Sequence, residues 1–256
     1  MTILKYYSTA RMALREKTNG GVAYLLADSG VRVLWLVPLM FIWKTLTAGG
    51  YEVEMSIGQL MTYTWVNAIL AELMVVSTCL STWNSSTRSM ELFTRPMPLF
   101  GQIIARTLGE WTPGLLLFSL PMALIAPLLG IRMVPATGWV WLSLLLGVSL
   151  GFAFEFLFFC VTVRARSSWM SYVIRQAVVS MLSGTVIPFA LMPWGLERWL
   201  QYQPFGSMGG AFLSLYVGSA APAQVIPAQI VWNVVIWTAA AVWFEKSRER
   251  MVSFGG

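Results

Sequence analysis

The sequence predicts an all-α polytopic membrane protein with six transmembrane helices, and three observations carry that prediction. The first is composition. Of 256 residues, 57% are hydrophobic and only 11% are charged, where an ordinary soluble domain carries about 25% charged residues. A water-soluble chain of this size has too much surface to cover with so few charges. The second is segmentation: the apolar residues gather into runs approaching the roughly 20 residues a helix needs to cross a bilayer. The third is the distribution of Lys and Arg on alternate sides of those runs.

The elements follow in chain order. Over residues 1–20, Ile3, Tyr7, Ala10 and Leu14 recur at helical spacing among Lys5, Arg11 and Arg15. This pattern predicts an amphipathic helix lying in the cytoplasmic interface and ended by Thr18-Asn19-Gly20-Gly21. The first span is expected over about 30–46, with Arg32 and Lys44 at ends from which they snorkel and Pro38 inside. The second is expected over about 60–80, the third over 111–131, and the fourth over 134–160, long enough to tilt. The fifth is expected over 176–193 and the sixth over 225–244. Residues 193–224, before the sixth span, are too apolar for a solvated loop yet are interrupted by Pro204, Gly206, Gly209 and Gly210. They predict a re-entrant segment of two short helices in the outer leaflet.

Basic residues give an independent test of this map. Lys5, Arg11, Arg15, Lys17, Arg32, Arg88, Arg95, Arg106, Arg164, Arg166, Arg175, Lys246, Arg248 and Arg250 fall on one side. Only Lys44, Arg132 and Arg198 fall on the other. The asymmetry places both termini in the cytoplasm, and the chain is expected as a multi-pass protein of a plasma (inner) membrane. The net charge of +6 is therefore topological, and no basic soluble face with interleaved aromatics offers a nucleic-acid site.

Several functions are excluded. Histidine is absent, which removes the usual general base, the commonest zinc ligand and every histidine-based triad. No G-x-x-x-x-G-K-[ST] loop, G-x-S-x-G elbow or H-E-x-x-H helix occurs, so no site for nucleotide hydrolysis or metal is expected. Cys79 and Cys160 lie within apolar runs and read as packing residues. The N-terminus lacks a charged-then-apolar leader with a small-residue cleavage site, and no cleaved signal is expected.

Two features invite function. Glu72 and Glu155 are the carboxylates well inside the expected spans, where a charge is costly and faces a partner, water or the bundle interior. They suit a proton relay or substrate site, or else structural pairing with cations. In the functional case Glu155→Gln folds but impairs transport. The second feature is the polar passage between the second and third spans. Ser85 or Ser86 caps a short helix there, Glu91 lies early, and Arg95-Pro96 ends it. Met90, Leu92 and Phe93 give one apolar side, with Arg88, Glu91 and Arg95 around it. Such a helix fits a groove on a cytoplasmic partner, or it merely reverses the chain.

The chain also resembles the permeases of the ABC-2 type exporter family, in their six-span half-transporter branch, over nearly its whole length. The landmarks are the basic N-terminal segment, "SIGQLMTYTWVNAIL" at Ser56–Leu70, and "STRSMELFTRPMPLFGQIIARTLG" with Arg88, Ser89, Leu92, Arg95 and Pro96. Then come "PWGLERWLQYQPFGSMGGAFLSLYVG" and a basic tail closed by Gly255 and Gly256. Met90 stands where the family often has glycine.

The resemblance implies that residues 85–96 form a coupling helix seated on a separate ABC ATPase subunit. Its residues are Ser85, Arg88, Met90, Glu91, Leu92, Phe93, Arg95 and Pro96. It also implies ATP and Mg bound by that partner, no cofactor in this chain, and a second permease subunit, identical or homologous. The chain is then a transport subunit without its own ATPase site, in contact with membrane lipid. The alternative is an ion-coupled secondary carrier using Glu72 and Glu155. No inverted repeat is obvious to support it. A membrane-embedded enzyme needs an acid–base cluster that the sequence does not show.

Overall fold

A computed structural model describes residues 2–49, 55–74, 76, 95–165, 168–192 and 194–253, and all regular structure among them is helical. Helix α1 is Thr2–Thr18, α2 Gly21–Ala48 and α3 Ile57–Met74. Helix α4, Leu99–Gly114, runs on through a π-helical turn, Leu115–Ser119, into α5, Leu120–Ile125, and a 3-10 turn, Ala126–Leu129. Helices α6, Val140–Ala165, and α7, Ser168–Leu182, follow. After a 3-10 turn at Phe189–Leu191 come three short helices: α8 Leu196–Leu200, α9 Pro204–Met208 and α10 Gly210–Val217. The last helix, α11, is Pro222–Ser253.

Among the described residues, four helical stretches are long and apolar enough to cross a membrane: Gly21–Ala48, Leu99–Leu129, Val140–Cys160 and Pro222–Lys246. They make the chain a membrane protein. Helix α3 is less apolar because Gln59, Thr62, Thr64, Asn67 and Glu72 interrupt it.

Several boundaries differ from expectation, each for a local reason. The expected first span, about 30–46, lies inside a longer helix that begins at Gly21 and takes in Asp28-Ser29-Gly30. Asp28 pairs with Arg32 one turn on at 2.9 Å, and Ser29 donates its hydroxyl to the Leu25 carbonyl. The third stretch begins at Leu99, well before 111, because Arg106 and Glu110 neutralise each other within the helix at 3.1 Å. The fourth helix starts at Val140, since Pro135 and Gly138 hold 134–139 out of it. No single helix covers 176–193. Helix α7 stops at Leu182, and Gly184 turns the chain with φ +74°, a conformation only glycine adopts freely. Residues 193–224 contain three short helices in place of two.

The core is organised around α6. Ser143, Gly147, Gly151 and Glu155 recur every fourth residue and therefore share one face. A Cβ at Gly147 would lie 2.5 Å from the Met208 carbonyl oxygen, and one at Gly151 would lie 2.6 Å from Val76. Small residues let α9 and the end of α3 approach the α6 backbone. In lipid, where apolar side chains gain nothing by leaving the tails, such close contact is what drives association. Helix α11 makes the most extensive contact with α6, and Leu150, Ala153 and Phe154 join Ile236, Val179 and Met208 in one buried cluster. Helix α10 is buried over Ala211, Phe212, Leu213 and Leu215, packed with Leu60, Tyr63 and Val66 of α3.

Candidate functional site

Among the described residues, four groupings of charged and polar side chains bear on function. The first is the junction of α2, α3 and the α4–α5 rod. Arg32 of α2 forms an ion pair with Glu72 of α3 while holding Asp28, and its guanidinium lies 5.6 Å from the centre of the Phe118 ring. Gly114 makes room for Glu72: a Cβ there would sit 2.8 Å from the carboxylate. Farther along, the Ser119 hydroxyl donates to the Ile69 carbonyl at 2.6 Å, and the Trp65 indole donates to the Met122 carbonyl at 3.1 Å. Trp65, Ile69 and Glu72 lie on one face of α3 at ordinary helical spacing. Their counterparts Met122, Ser119 and Gly114 include a five-residue step, which regular α winding would rotate away and the π turn restores.

The second place is deeper. Glu155 of α6 and Arg175 of α7 form an ion pair in which both side chains are almost fully buried. Arg175 also donates to the Val76 carbonyl at 3.3 Å, just beyond α3. A carboxylate and a carbonyl at a helix end both favour the cation, so Arg175 ties three segments together. Glu72 and Glu155, the two carboxylates singled out from the sequence, are thus each paired with an arginine. Both arginines sit within helices, and Arg175 is only 3% exposed. Pairing also changes the outlook for Glu155→Gln, which leaves the buried guanidinium without its counter-charge.

The third place is the seat of α1 on α4, the second most extensive helix contact. Gly109 lies against the Ala10 backbone so closely that any side chain there would clash, and Gly101 accommodates the Tyr6 ring. Arg106 bridges Glu16 of α1 and Glu110 of its own helix. Of the expected coupling residues, Ser85, Arg88, Met90, Glu91, Leu92 and Phe93 lie outside the described residues. Arg95 and Pro96 lie in a bend before α4, and the Arg95 guanidinium is 3.9 Å from the Met12 sulfur. The chain leaving the expected coupling segment therefore meets α1 and α4 at once.

The fourth is a polar seam between α6, α9 and α11 that sequence reading missed. Gln229 donates its amide hydrogens to the Ser143 and Ser207 carbonyls at 3.1 and 2.9 Å. Asn233 donates to the Leu146 and Gln229 carbonyls at 3.0 and 2.8 Å. The signal was present: Gln229 and Asn233, four apart in an apolar helix, share a face.

Among the described residues no group of three or more Cys, Asp or Glu gathers to hold a metal ion. Compared with protein-family models, with curated proteins and with solved structures, the chain matches none.

Proposed function

We propose that the chain is the membrane-spanning permease subunit of an ATP-driven ABC exporter, moving a hydrophobic or amphipathic substrate with energy from a separate nucleotide-binding subunit. One observation carries this choice over an ion-coupled carrier: Glu72 and Glu155 are each held by an arginine. Each carboxylate is thereby committed to tying two helices together, α2 to α3 and α6 to α7, in place of standing free as a coupling pair. The chain also has no phosphate-binding loop of its own, so the energy enters from outside.

In this reading both termini are cytoplasmic, in a plasma (inner) membrane, and residues 85–96 seat on the ATPase. Met90, Leu92 and Phe93 enter an apolar groove, Arg88 and Arg95 face acidic groups beside it, and Ser85 and Pro96 bound the helix. The partner binds ATP and Mg. Its closure pushes the bend at Arg95-Pro96, and the α1–α4 seat and the π turn carry the displacement to α3 as a rigid-body rotation. Two permease subunits enclose the path.

The test is affinity isolation of the tagged chain from native membranes in mild detergent, alongside Arg95→Glu. The expected result is recovery of an ATPase bearing Walker motifs with the parent, reduced about tenfold or more by the charge reversal. Its absence from both preparations, with the chain abundant and monodisperse, overturns the proposal.

A further inference from the structure

We propose that the cavity between the start of α3 and the segment joining α5 to α6 binds the phosphate headgroup of a membrane lipid, an inference independent of the permease reading. The cavity holds about 560 Å³ and is lined by Ser56, Gly58, Thr62, Arg132, Val134 and Tyr216, among others.

Its chemistry selects an anion. The first turn of α3 presents Ser56 and Gly58 to it, the positive end of an 18-residue helix in which Ser56 caps the Gln59 amide at 3.3 Å and the Ile57 and Gly58 N–H groups have no partner within the helix. Arg132 adds a guanidinium that makes no ion pair with any described carboxylate. Thr62 faces the same cavity at only 6% exposure, and its hydroxyl makes no hydrogen bond with any described residue. An unpartnered hydroxyl facing a space with a cation and a helix N-terminus suits an acceptor of negative charge. No described acidic side chain lines the cavity.

The site is also held in shape. The Tyr216 hydroxyl donates to the Met133 carbonyl at 2.5 Å, and the Ala136 amide donates to the Tyr216 carbonyl at 2.9 Å. These two bonds fix the segment just after Arg132, and the Ile131 amide, donating to the Ala126 carbonyl at 3.0 Å, fixes it just before. The Gln59 amide is occupied with the Val217 carbonyl at 3.2 Å, closing that wall.

The rim selects a lipid over a free phosphate. Leu128, Leu129 and Val134 flank Arg132 and are 84%, 58% and 81% exposed. A polar, cationic lining that opens beside exposed apolar residues matches a phosphate carried on acyl chains.

The experiment uses the full chain purified in an uncharged detergent and read by native mass spectrometry. Three probes are compared: a short-chain phosphatidic acid, the diacylglycerol with the same chains, and glycerol 3-phosphate. Phosphatidic acid is expected to remain as a single adduct, about tenfold tighter than either fragment. Arg132→Gln is expected to weaken it about tenfold, with Arg132→Lys retaining most of the binding. Thr62→Val removes the hydroxyl at nearly constant shape and weakens binding about threefold. Equal retention of glycerol 3-phosphate identifies a phosphate site with no use for chains, and equal retention of diacylglycerol identifies an apolar lip only. Either result overturns the proposal, as does phosphatidic acid binding unaffected by both Arg132→Gln and Thr62→Val.

Discussion

Helices α2 and α6 are both long and apolar, yet they are used in opposite ways. In α2 11% of the most apolar window is buried within the chain, and in α6 56% is. Leu34, Trp35 and Phe41 of α2 are 71%, 75% and 65% exposed, whereas Leu150 and Ala153 of α6 are fully enclosed. Apolarity alone does not separate them. What does is the row Ser143, Gly147, Gly151 and Glu155, which brings neighbouring backbones against α6 and ends in a buried ion pair. Gly30 of α2, by contrast, has nothing within 4 Å of where a side chain would begin. In a bilayer, hydrophobicity decides that a helix inserts, and small or polar residues decide which helix becomes the core.

Three substitutions test that contrast. The largest effect is expected from Glu155→Ala, which strands Arg175 in the interior and costs about 3–5 kcal/mol in a thermal or denaturant unfolding measurement in detergent. The double variant Glu155→Ala, Arg175→Ala recovers part of that loss; additive losses would mean that the two charges are not coupled. Next is Gly147→Leu, whose side chain has to displace the Met208 backbone, at about 1–3 kcal/mol in the same measurement. The smallest is Leu34→Ala on the open face of α2, within about 0.5 kcal/mol. A larger loss there, dependent on protein concentration, would show that a second copy covers α2.

Composition and apolar runs were enough to predict an all-helical membrane chain, and most helices overlap the expected positions. Boundaries failed where charge was taken as a helix end. Arg32, Arg106 and Arg175 are helical residues paired with Glu72, Glu16 and Glu155. Those partners are 40, 90 and 20 positions away, so no local pattern reveals them. The fifth expected span failed for the opposite reason: its hydropathy was adequate, but Gly184 and Pro188 break the winding. The two carboxylates were legible as a site because charge is rare in such surroundings. Their arginines were not, since a basic residue beside an apolar run is ordinarily topological. The four-residue rows on α6 and α11 were readable and carry more of the packing than the hydropathy that drew attention first.

The π turn at Leu115–Ser119 gives the third apolar stretch one residue more than regular winding would use between Gly114 and Ser119. The rod is therefore keyed, like a shaft with a single offset tooth. A residue added to the turn would rotate everything beyond it by about 100° relative to everything before it, whereas loss of one would let the turn relax to regular α winding with Gly114 and Ser119 still on one face. After such an addition Ser119 and Met122 could meet α3 only if Gly114 and Glu72 parted. The length of this segment, more than the identity of its leucines, sets which residues face α3.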